Sequence, residues 1–260
     1  DDRKVHGDIF VLTSENEEIG TLIEMRGKGC RQFETFLLAQ KKTWRDFFNT
    51  CRLYGCSFKR IDLAVNDRIG ILNVPKLIEK TENGEYHTIF KSYQQVKSGN
   101  HSVYREEDKN TMGATLYLGS MKSEIYFCVY EKNYERLNRE GIALEDTDIL
   151  NRFELRLNDD RAEAAVDKYL SDEDVEKLVF GIINRYVCYL QPSGKCKKKW
   201  DVWEDWQYFI GQDRCKIKLA YDPKEFEMID TKNWISRQVA PTLKFLMELD
   251  ELRGKTEIKD

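Results

Sequence analysis

Apolar and polar residues alternate in DIFVLT (8–13) and again in TLIEMRG (21–27), with the polar stretch SENEEIG between them. Period-two patterning over two short runs predicts an antiparallel hairpin. GKGC then breaks the second strand. From Arg31 to about Leu53 the period changes: Phe33, Leu37, Trp44, Phe47, Phe48 and Cys51 recur at three- and four-residue steps, with Lys41, Lys42, Arg45 and Arg52 on the other side. That spacing predicts one long amphipathic helix ended by Gly55. SFKRIDLAVND (57–67) alternates strictly, Arg60, Asp62, Ala64 and Asn66 against Ile61, Leu63 and Val65, so it reads as a strand. Hairpin, helix and strand in this order predict a crossover unit with one sheet face packed on the helix.

Farther along, NVPKLIEKTENG (73–84) reads as a short helix with Pro75 in its first turn. Residues 85–112 are polar and carry no clear period. GATLYLGS (113–120) and EIYFCVYEK (124–132) form a second hairpin turning near Met121 and Lys122, and YERLNREG continues as helix to Gly141. LNRFELRLN (150–158) is the last clear strand, with Arg152, Glu154 and Arg156 on one face and Phe153, Leu155 and Leu157 on the other. The remainder reads helical: SDEDVEKLVFGIINRYVCYL (171–190) with Ser171 as N-cap, WDVWEDWQYFIG (200–211), and WISRQVAPTLKFLMELDEL (234–252), kinked at Pro241. Aromatics at 200, 203, 206 and 209 keep helical spacing, which favours core packing over base stacking.

The fold class is therefore α+β, a central antiparallel sheet with a crossover helix and a helical C-terminal part. The expected division is a core at 1–170 and a helical extension at 171–260 packed on it. A chain of 260 residues can bury a full core without disulfides. Seven scattered cysteines with no CxxC pair read as free thiols of a reducing cytoplasm, and His6, His87 and His101 are too dispersed for a zinc site. No apolar run approaches the ~20 residues of a membrane span, so a cytoplasmic protein without membrane insertion is expected. The opening DDRKVHGD, without Met, suggests a domain cut from a longer protein.

The net charge of −4 argues weakly against a nucleic-acid partner, yet charge is uneven. Residues 26–60 carry nine Lys/Arg, among them Arg26, Lys28, Arg31, Lys41, Lys42, Arg45, Lys59 and Arg60, against Glu34 and Asp46. Phosphate affinity follows that local field. A second basic run, KCKKKW (195–200), reads equally well as a solvated loop or a DNA contact.

Parity supplies the candidate chemistry. Glu24, Asp62 and Glu154 each interrupt an apolar strand, which is costly unless the acid meets a cation, a metal or water. Asp62 and Glu154 lie opposite the aliphatic residues of their strands and can share one groove. Arg60, Arg152 and Arg156 have the same parity, so surface ion pairs compete with ligation of a hard cation such as Mg2+ or Mn2+. In SEIYFCVYEKNYER (123–136), Tyr126 and Tyr130 share that polar parity. Tyr130, at the strand end with Lys132 two residues on, is the favoured nucleophile; Tyr134 reads as a surface or packing residue. A tyrosine hydroxyl attacks phosphate only with help from a base, a cation or a metal.

At HGDIF, EMRGKGCRQFETFLLAQ, KRIDLAVND, TLYLGS, SEIYFCVYEK, NRFELRLN and WISRQVAPTLK the chain resembles the Gram-positive replication-initiation factor family, which includes rolling-circle plasmid initiators and MobT-type relaxases of conjugative transposons. The resemblance spans nearly the whole chain. It implies a Rep-like fold and a metal-dependent nickase that forms a 5′-phosphotyrosyl ester and can rejoin the strand. By this resemblance Tyr130 of V-Y-E-K is the nucleophile, Lys132 a phosphate or phenolate partner, and Asp62, Glu154 and Glu24 the metal acids, with no His-hydrophobe-His motif. Arg152 and Arg156 join the basic residues above as expected DNA contacts. Implied partners are origin DNA (a transfer or double-strand origin), single-stranded DNA, a host helicase and a conjugative coupling protein. MobT-type proteins commonly carry an N-terminal helix-turn-helix domain, expected here to be missing. Plasmid replication initiation and origin binding without catalysis stand as the alternatives to conjugative transfer.

Overall fold

The computed structural model describes residues 2–16, 20–99, 111–171, 174–194, 196–211, 236 and 240–253. The chain divides into two compact units, Asp1–Ala220 and Tyr221–Asp260. Among its described residues the second unit contains one long helix, α8 (Ala240–Arg253). Pro241 is the second residue of this described stretch; the residues immediately before it, on which the expected kink depends, lie outside the described residues.

In the first unit, β1 (Asp2–His6), β2 (Ile9–Thr13) and β3 (Thr21–Met25) form an antiparallel three-stranded sheet. The second sheet has five antiparallel strands: β4 (Arg60–Asp67), β9 (Asn151–Asn158), β8 (Ile125–Glu131), β7 (Thr111–Leu118) and β6 (Tyr93–Gly99), in that spatial order. A third sheet joins β11 (Asp201–Val202), β10 (Val187–Gln191) and β5 (Tyr86–Thr88). The α+β class with antiparallel sheets is as expected. The helical crossing after β3 leads from one sheet into another, rather than between strands of one sheet.

That crossing is two helices, α1 (Lys28–Ala39) and α2 (Trp44–Leu53), where the periodicity predicts one. Lys41 adopts φ 55°, and Thr43 caps α2 in a reciprocal box, its amide donating to Asp46 Oδ2 at 2.7 Å while its Oγ1 accepts the Asp46 amide at 3.3 Å. The break lets α2 fold back so that Phe33 meets Phe47 at 4.6 Å and Trp44 at 5.5 Å between ring centroids. The three- and four-residue steps thus mark one aromatic cluster shared by two helices.

The C-terminal expectation needs more correction. Residues 160–170 form α5 (Asp160–Leu170), and Ser171 is its C-cap. The next helix, α6 (Val175–Tyr186), is capped by Asp174, whose carboxylate accepts the Glu176 amide at 2.7 Å. VCYLQ then leaves the helix to become β10, because β5 offers it a partner: Val187, Cys188 and Tyr189 register with Thr88, His87 and Tyr86. Tertiary pairing overrides a local pattern that two periods describe almost equally well. Trp203 precedes a short helix, α7 (Glu204–Ile210), whose Trp206 and Phe209 are buried as expected.

One face of β9 makes the core. Phe153, Leu155 and Leu157 are fully buried, while the intervening residues are half-buried. Phe153 meets Phe127 of β8 at 5.4 Å and Trp206 and Phe209 of α7 at 6.2 and 5.8 Å. Helix α3 (Val74–Glu82) begins as expected, with Asn73 capping and Pro75 in its first turn. The path from β4 to it is held by Asp67, 5% exposed, whose carboxylate accepts the amides of Ile69, Gly70, Ile71 and Leu72 and the side-chain amide of Asn151 on β9. Among the described residues Cys30, Cys51, Cys56, Cys128, Cys188 and Cys196 are free thiols. Cys215, Lys195 and the tail beyond Arg253 lie outside them.

Replacing Asp67 by Ala strands several part-buried amides at once and is expected to lower stability by roughly 3–5 kcal/mol. Urea unfolding checks this: the midpoint should fall with its slope unchanged.

Candidate active site on the charged face of the large sheet

The pleat that buries Phe153, Leu155 and Leu157 sends Arg152, Glu154 and Arg156 to the opposite face. Register then sets their neighbours. Arg152 lies between Tyr130 of β8 and Asn66 of β4, Glu154 between Cys128 and Ala64, and Arg156 between Tyr126 and Asp62. The strand β8 ends at Glu131, whose carboxylate accepts the Ala114 amide of β7 at 2.8 Å; α4 (Lys132–Glu140) starts immediately after. Tyr130 is thereby fixed at the penultimate position of the strand, one residue before the N-cap of the helix.

The Tyr130 hydroxyl donates to Glu154 Oε1 at 2.8 Å. Glu154 Oε2 in turn accepts from Arg156 Nη2 at 2.9 Å and Nε at 3.3 Å, and Arg152 Nη1 stands 3.7 Å from Oε1. Arg156 Nη1 donates to the Tyr126 hydroxyl at 3.3 Å, and its Nε lies 3.9 Å from Asp62 Oδ2. Arg60 closes the row with a two-pronged pair to Asp62 at 2.8 and 2.7 Å. A continuous ladder of alternating acid and base therefore runs Tyr130–Glu154–Arg156–Asp62–Arg60.

Burial and charge set the protonation of this face. Burial raises the Tyr130 pKa well above the ordinary phenol, and the Glu154 carboxylate, by its charge and its hydrogen bond, raises it further. Cys128 is pushed up to about 12, chiefly by burial, with Arg156 opposing. Burial works against the Arg156 charge, but Tyr126 and Glu154 outweigh it and raise its pKa. The raised pKa keeps Tyr130 a neutral phenol at neutral pH, hydrogen-bonded to a carboxylate oxygen, the arrangement a proton transfer needs.

The two tyrosines of equal parity are now distinct. Tyr126 is 6% exposed and bound to a cation, whereas Tyr130 is half-buried with its hydroxyl on a carboxylate. Tyr134 packs on β7: a Cβ added at Gly113, whose φ is 96°, would come within 2.7 Å of the Tyr134 Cβ. Lys132 is the first residue of α4 rather than the end of the strand. Its amine pairs with Glu135 and lies 5.6 Å from the centroid of the Tyr130 ring.

The three acids do not gather. Asp62 and Glu154 share the face, but the Arg156 guanidinium stands between them. Glu24, on β3, pairs with Arg26 at 2.7 Å; that hydrogen bond holds its carboxyl below the usual range against the opposing effect of burial, with the charges of Arg26, Arg60 and Arg3 adding. Among the described residues no three His, Cys, Asp or Glu side chains come together closely enough to hold a metal ion.

Most of the expected DNA-binding cations are also engaged. Lys28 lies 3.7 Å from Glu140, Lys59 lies 3.6 Å from Asp159, and Arg152 Nε donates to Asn66 Oδ1 at 2.8 Å. Arg45 donates to the Leu170 carbonyl at 3.2 Å and sits over the Tyr169 ring. Arg31, Lys41 and Lys42 are exposed.

Comparison with known proteins matches the chain to one group. The model described as "Replication initiation factor" covers residues 56–260, and the one described as "Rolling Circle replication initiation protein N-terminal domain" covers residues 1–50. The chain belongs to the replication initiation factor family. It is 39% identical over 249 residues to a Bacillus subtilis (strain 168) protein named "Putative DNA relaxase NicK", an alignment spanning 95% of this chain and 69% of that protein. Its fold matches a rolling circle replication initiator protein from Geobacillus stearothermophilus with a TM-score of 0.66 at 27% identity, over 83% of this chain and 78% of that one. Family members thus include DNA relaxases and replication initiators. No helix among the described residues is long and apolar enough to cross a membrane.

Sequence reasoning placed Tyr130, Glu154, Asp62 and the three arginines on one face, but missed Tyr126 as a partner of Arg156, Asn66 as a partner of Arg152, and Glu135 as the counter-ion of Lys132. Parity had put Tyr126 and Asn66 on the right face; which rungs they occupy is a matter of strand register, carried by pairing and absent from any single strand.

Because the folded-state pKa of Tyr130 is raised, its contribution to stability is complete below the ordinary phenol pKa near 10 and is lost as pH climbs from there toward the folded value. Ultraviolet difference titration of the wild type against Tyr130→Phe should show this tyrosine ionising after the exposed ones. In Glu154→Gln its pKa should fall only part of the way back, since burial remains.

Proposed function

We propose that this chain nicks and rejoins one strand of origin DNA with Tyr130 as nucleophile and Glu154 as its general base. The observation that carries the reading is the 2.8 Å hydrogen bond from the Tyr130 hydroxyl to a carboxylate on a sheet face lined with arginine. As the phenol oxygen attacks the scissile phosphorus, its proton passes to Glu154. The 3′ oxygen leaves, taking a proton from water, and the 5′ phosphate stays on the tyrosine. Reversal with a 3′ hydroxyl rejoins the strand, since one phosphoester is exchanged for another. Arg60, Arg152 and Arg156 are bound to acids in the resting protein; the incoming phosphodiester offers them a competing anion.

A hard divalent cation, Mg2+ or Mn2+, belongs to this reading. The carboxylates of Asp62 and Glu154 suit such an ion in donor type, in the open manner of sites completed by water and phosphate, while Glu24 would join only by leaving Arg26. A cation held there would supply charge neutralisation to the bound phosphodiester, with Arg156 displaced from between the two acids. The named relaxase among the relatives favours initiation of conjugative transfer, with a host helicase and a coupling protein as partners; rolling-circle plasmid replication is the second reading, favoured by the structural match.

Incubation with a labelled single-stranded oligonucleotide spanning the origin, with Mg2+ or Mn2+, should yield a covalent adduct on a denaturing gel. Tyr130→Phe should abolish it, and Glu154→Gln should slow it by roughly 10²–10⁴-fold. An adduct whose peptide map falls on another tyrosine, such as Tyr104, Tyr117 or Tyr126, overturns the assignment. No adduct with the wild type leaves origin binding without catalysis as the function.

The acids are tested separately. Asp62→Ala should depress adduct formation far more than binding of the same oligonucleotide, and chelation of divalent cations should mimic it. Equal loss of binding and cleavage would instead give Asp62 a purely structural role.

A further inference from the structure

The cations of the nick-site face are largely held by acids, but one basic cluster of the chain is not. Lys197, Lys198 and Lys199 form a short 3-10 turn between β10 and β11, and all three side chains are exposed. Among the described residues none of the three has a carboxylate in ion-pair range. The turn is built rather than loose. The Lys199 amide donates to the Cys196 carbonyl at 2.8 Å, the Trp200 amide to the Lys197 carbonyl at 3.2 Å, and the Trp200 indole N–H to the Ser193 carbonyl at 3.1 Å. Lys197 is further steadied by its amine lying 5.7 Å from the centroid of the Tyr86 ring.

The turn belongs to the layer on the aliphatic side of the large sheet. Tyr189 of β10 meets Trp206 at 5.0 Å, and Trp206 meets Phe153, whose side chain points away from Glu154 and Tyr130. These lysines are therefore not part of the nick-site face. The aromatics beside them are already in use: Tyr86 stacks on Tyr189 at 5.6 Å, and Trp200 is tied to Ser193. Single-strand binding needs free rings on which unstacked bases can lie, whereas duplex phosphates need only point charges.

We infer that the Lys197–Lys199 turn is a second nucleic-acid contact, gripping the backbone of duplex DNA apart from the nick-site face. It lets the protein hold paired flanking DNA while the strand to be cut lies on the Tyr130 face. Its ligand chemistry is phosphate without base readout, so the probe needs no origin sequence.

The test is fluorescence anisotropy with a random-sequence duplex over a salt titration, using the whole chain and a variant carrying Lys197→Ala, Lys198→Ala and Lys199→Ala. Thermal melting first checks that the variant is folded as the wild type is. The slope of log K against log salt should become shallower by about 2–3, with duplex affinity at low salt falling at least about tenfold. Replacement of all three by Arg should restore both. Single-strand binding, and adduct yield on the origin oligonucleotide, should stay within about twofold of wild type. An unchanged slope, a wild type that does not bind the duplex, or an equal loss on single-stranded DNA overturns the inference. If the wild type forms no adduct, the nicking assignment fails, while the duplex slope still decides this one.

Discussion

The two-residue pleat shared by β8 and β9 is the constraint on which the rest of the molecule depends. Phe127, Phe153, Leu155 and Leu157 are fully buried on one side, locked by the aromatic rings of α7. A strand cannot bury those residues without sending Glu154, Arg156 and Tyr130 to the other side, and a slip by one residue would invert both sets at once. The same packing that stabilises the sheet therefore holds the chemical face in register. Glu131, pinned to the Ala114 amide, stops β8 where Tyr130 is still part of the sheet but next to its edge of regular pairing.

On that face charge is organised as a ladder rather than a cluster. Each acid touches an arginine and each arginine touches an acid or a hydroxyl, so half-buried charges are satisfied without any ligand. Such a face is stable while idle, yet every rung can exchange an intramolecular carboxylate for a phosphate oxygen. The Tyr130–Glu154 rung differs from the others because its hydrogen bond contains a transferable proton. The turn bearing Lys197–Lys199 contrasts with it: a hydrogen-bonded backbone presents lysines that have no carboxylate partner among the described residues.

Much of this was legible in the chain. Strict alternation in RIDLAVND and NRFELRLN located two strands and assigned Asp62, Glu154 and the arginines to one side, because a strand's faces follow from parity alone. Periodicity failed where two elements share one apolar cluster. Phe33, Trp44 and Phe47 keep helical spacing across a break made by Lys41 and the Thr43 cap, and the steps cannot reveal that the helix turns back on itself. It failed again at VCYLQ, where β5, a hundred residues earlier, recruits the end of a helical pattern into a strand.

The sequence by itself determined the α+β class, the family, the strands of the charged face and the identity of its acids, bases and tyrosines. The class, the strands and the residues follow from local period and residue type, which a single chain displays in full; the family follows from its resemblance to known chains. Only the tertiary structure decided which partner each takes: Glu154 for Tyr130, Arg156 for both Glu154 and Tyr126, Arg26 for Glu24. Cross-strand register sets the pairs of the large sheet, while Glu24, on a strand of another sheet, is held by Arg26 two residues along its own chain. Partner choice depends on long-range pairing, and no pattern confined to one strand contains it.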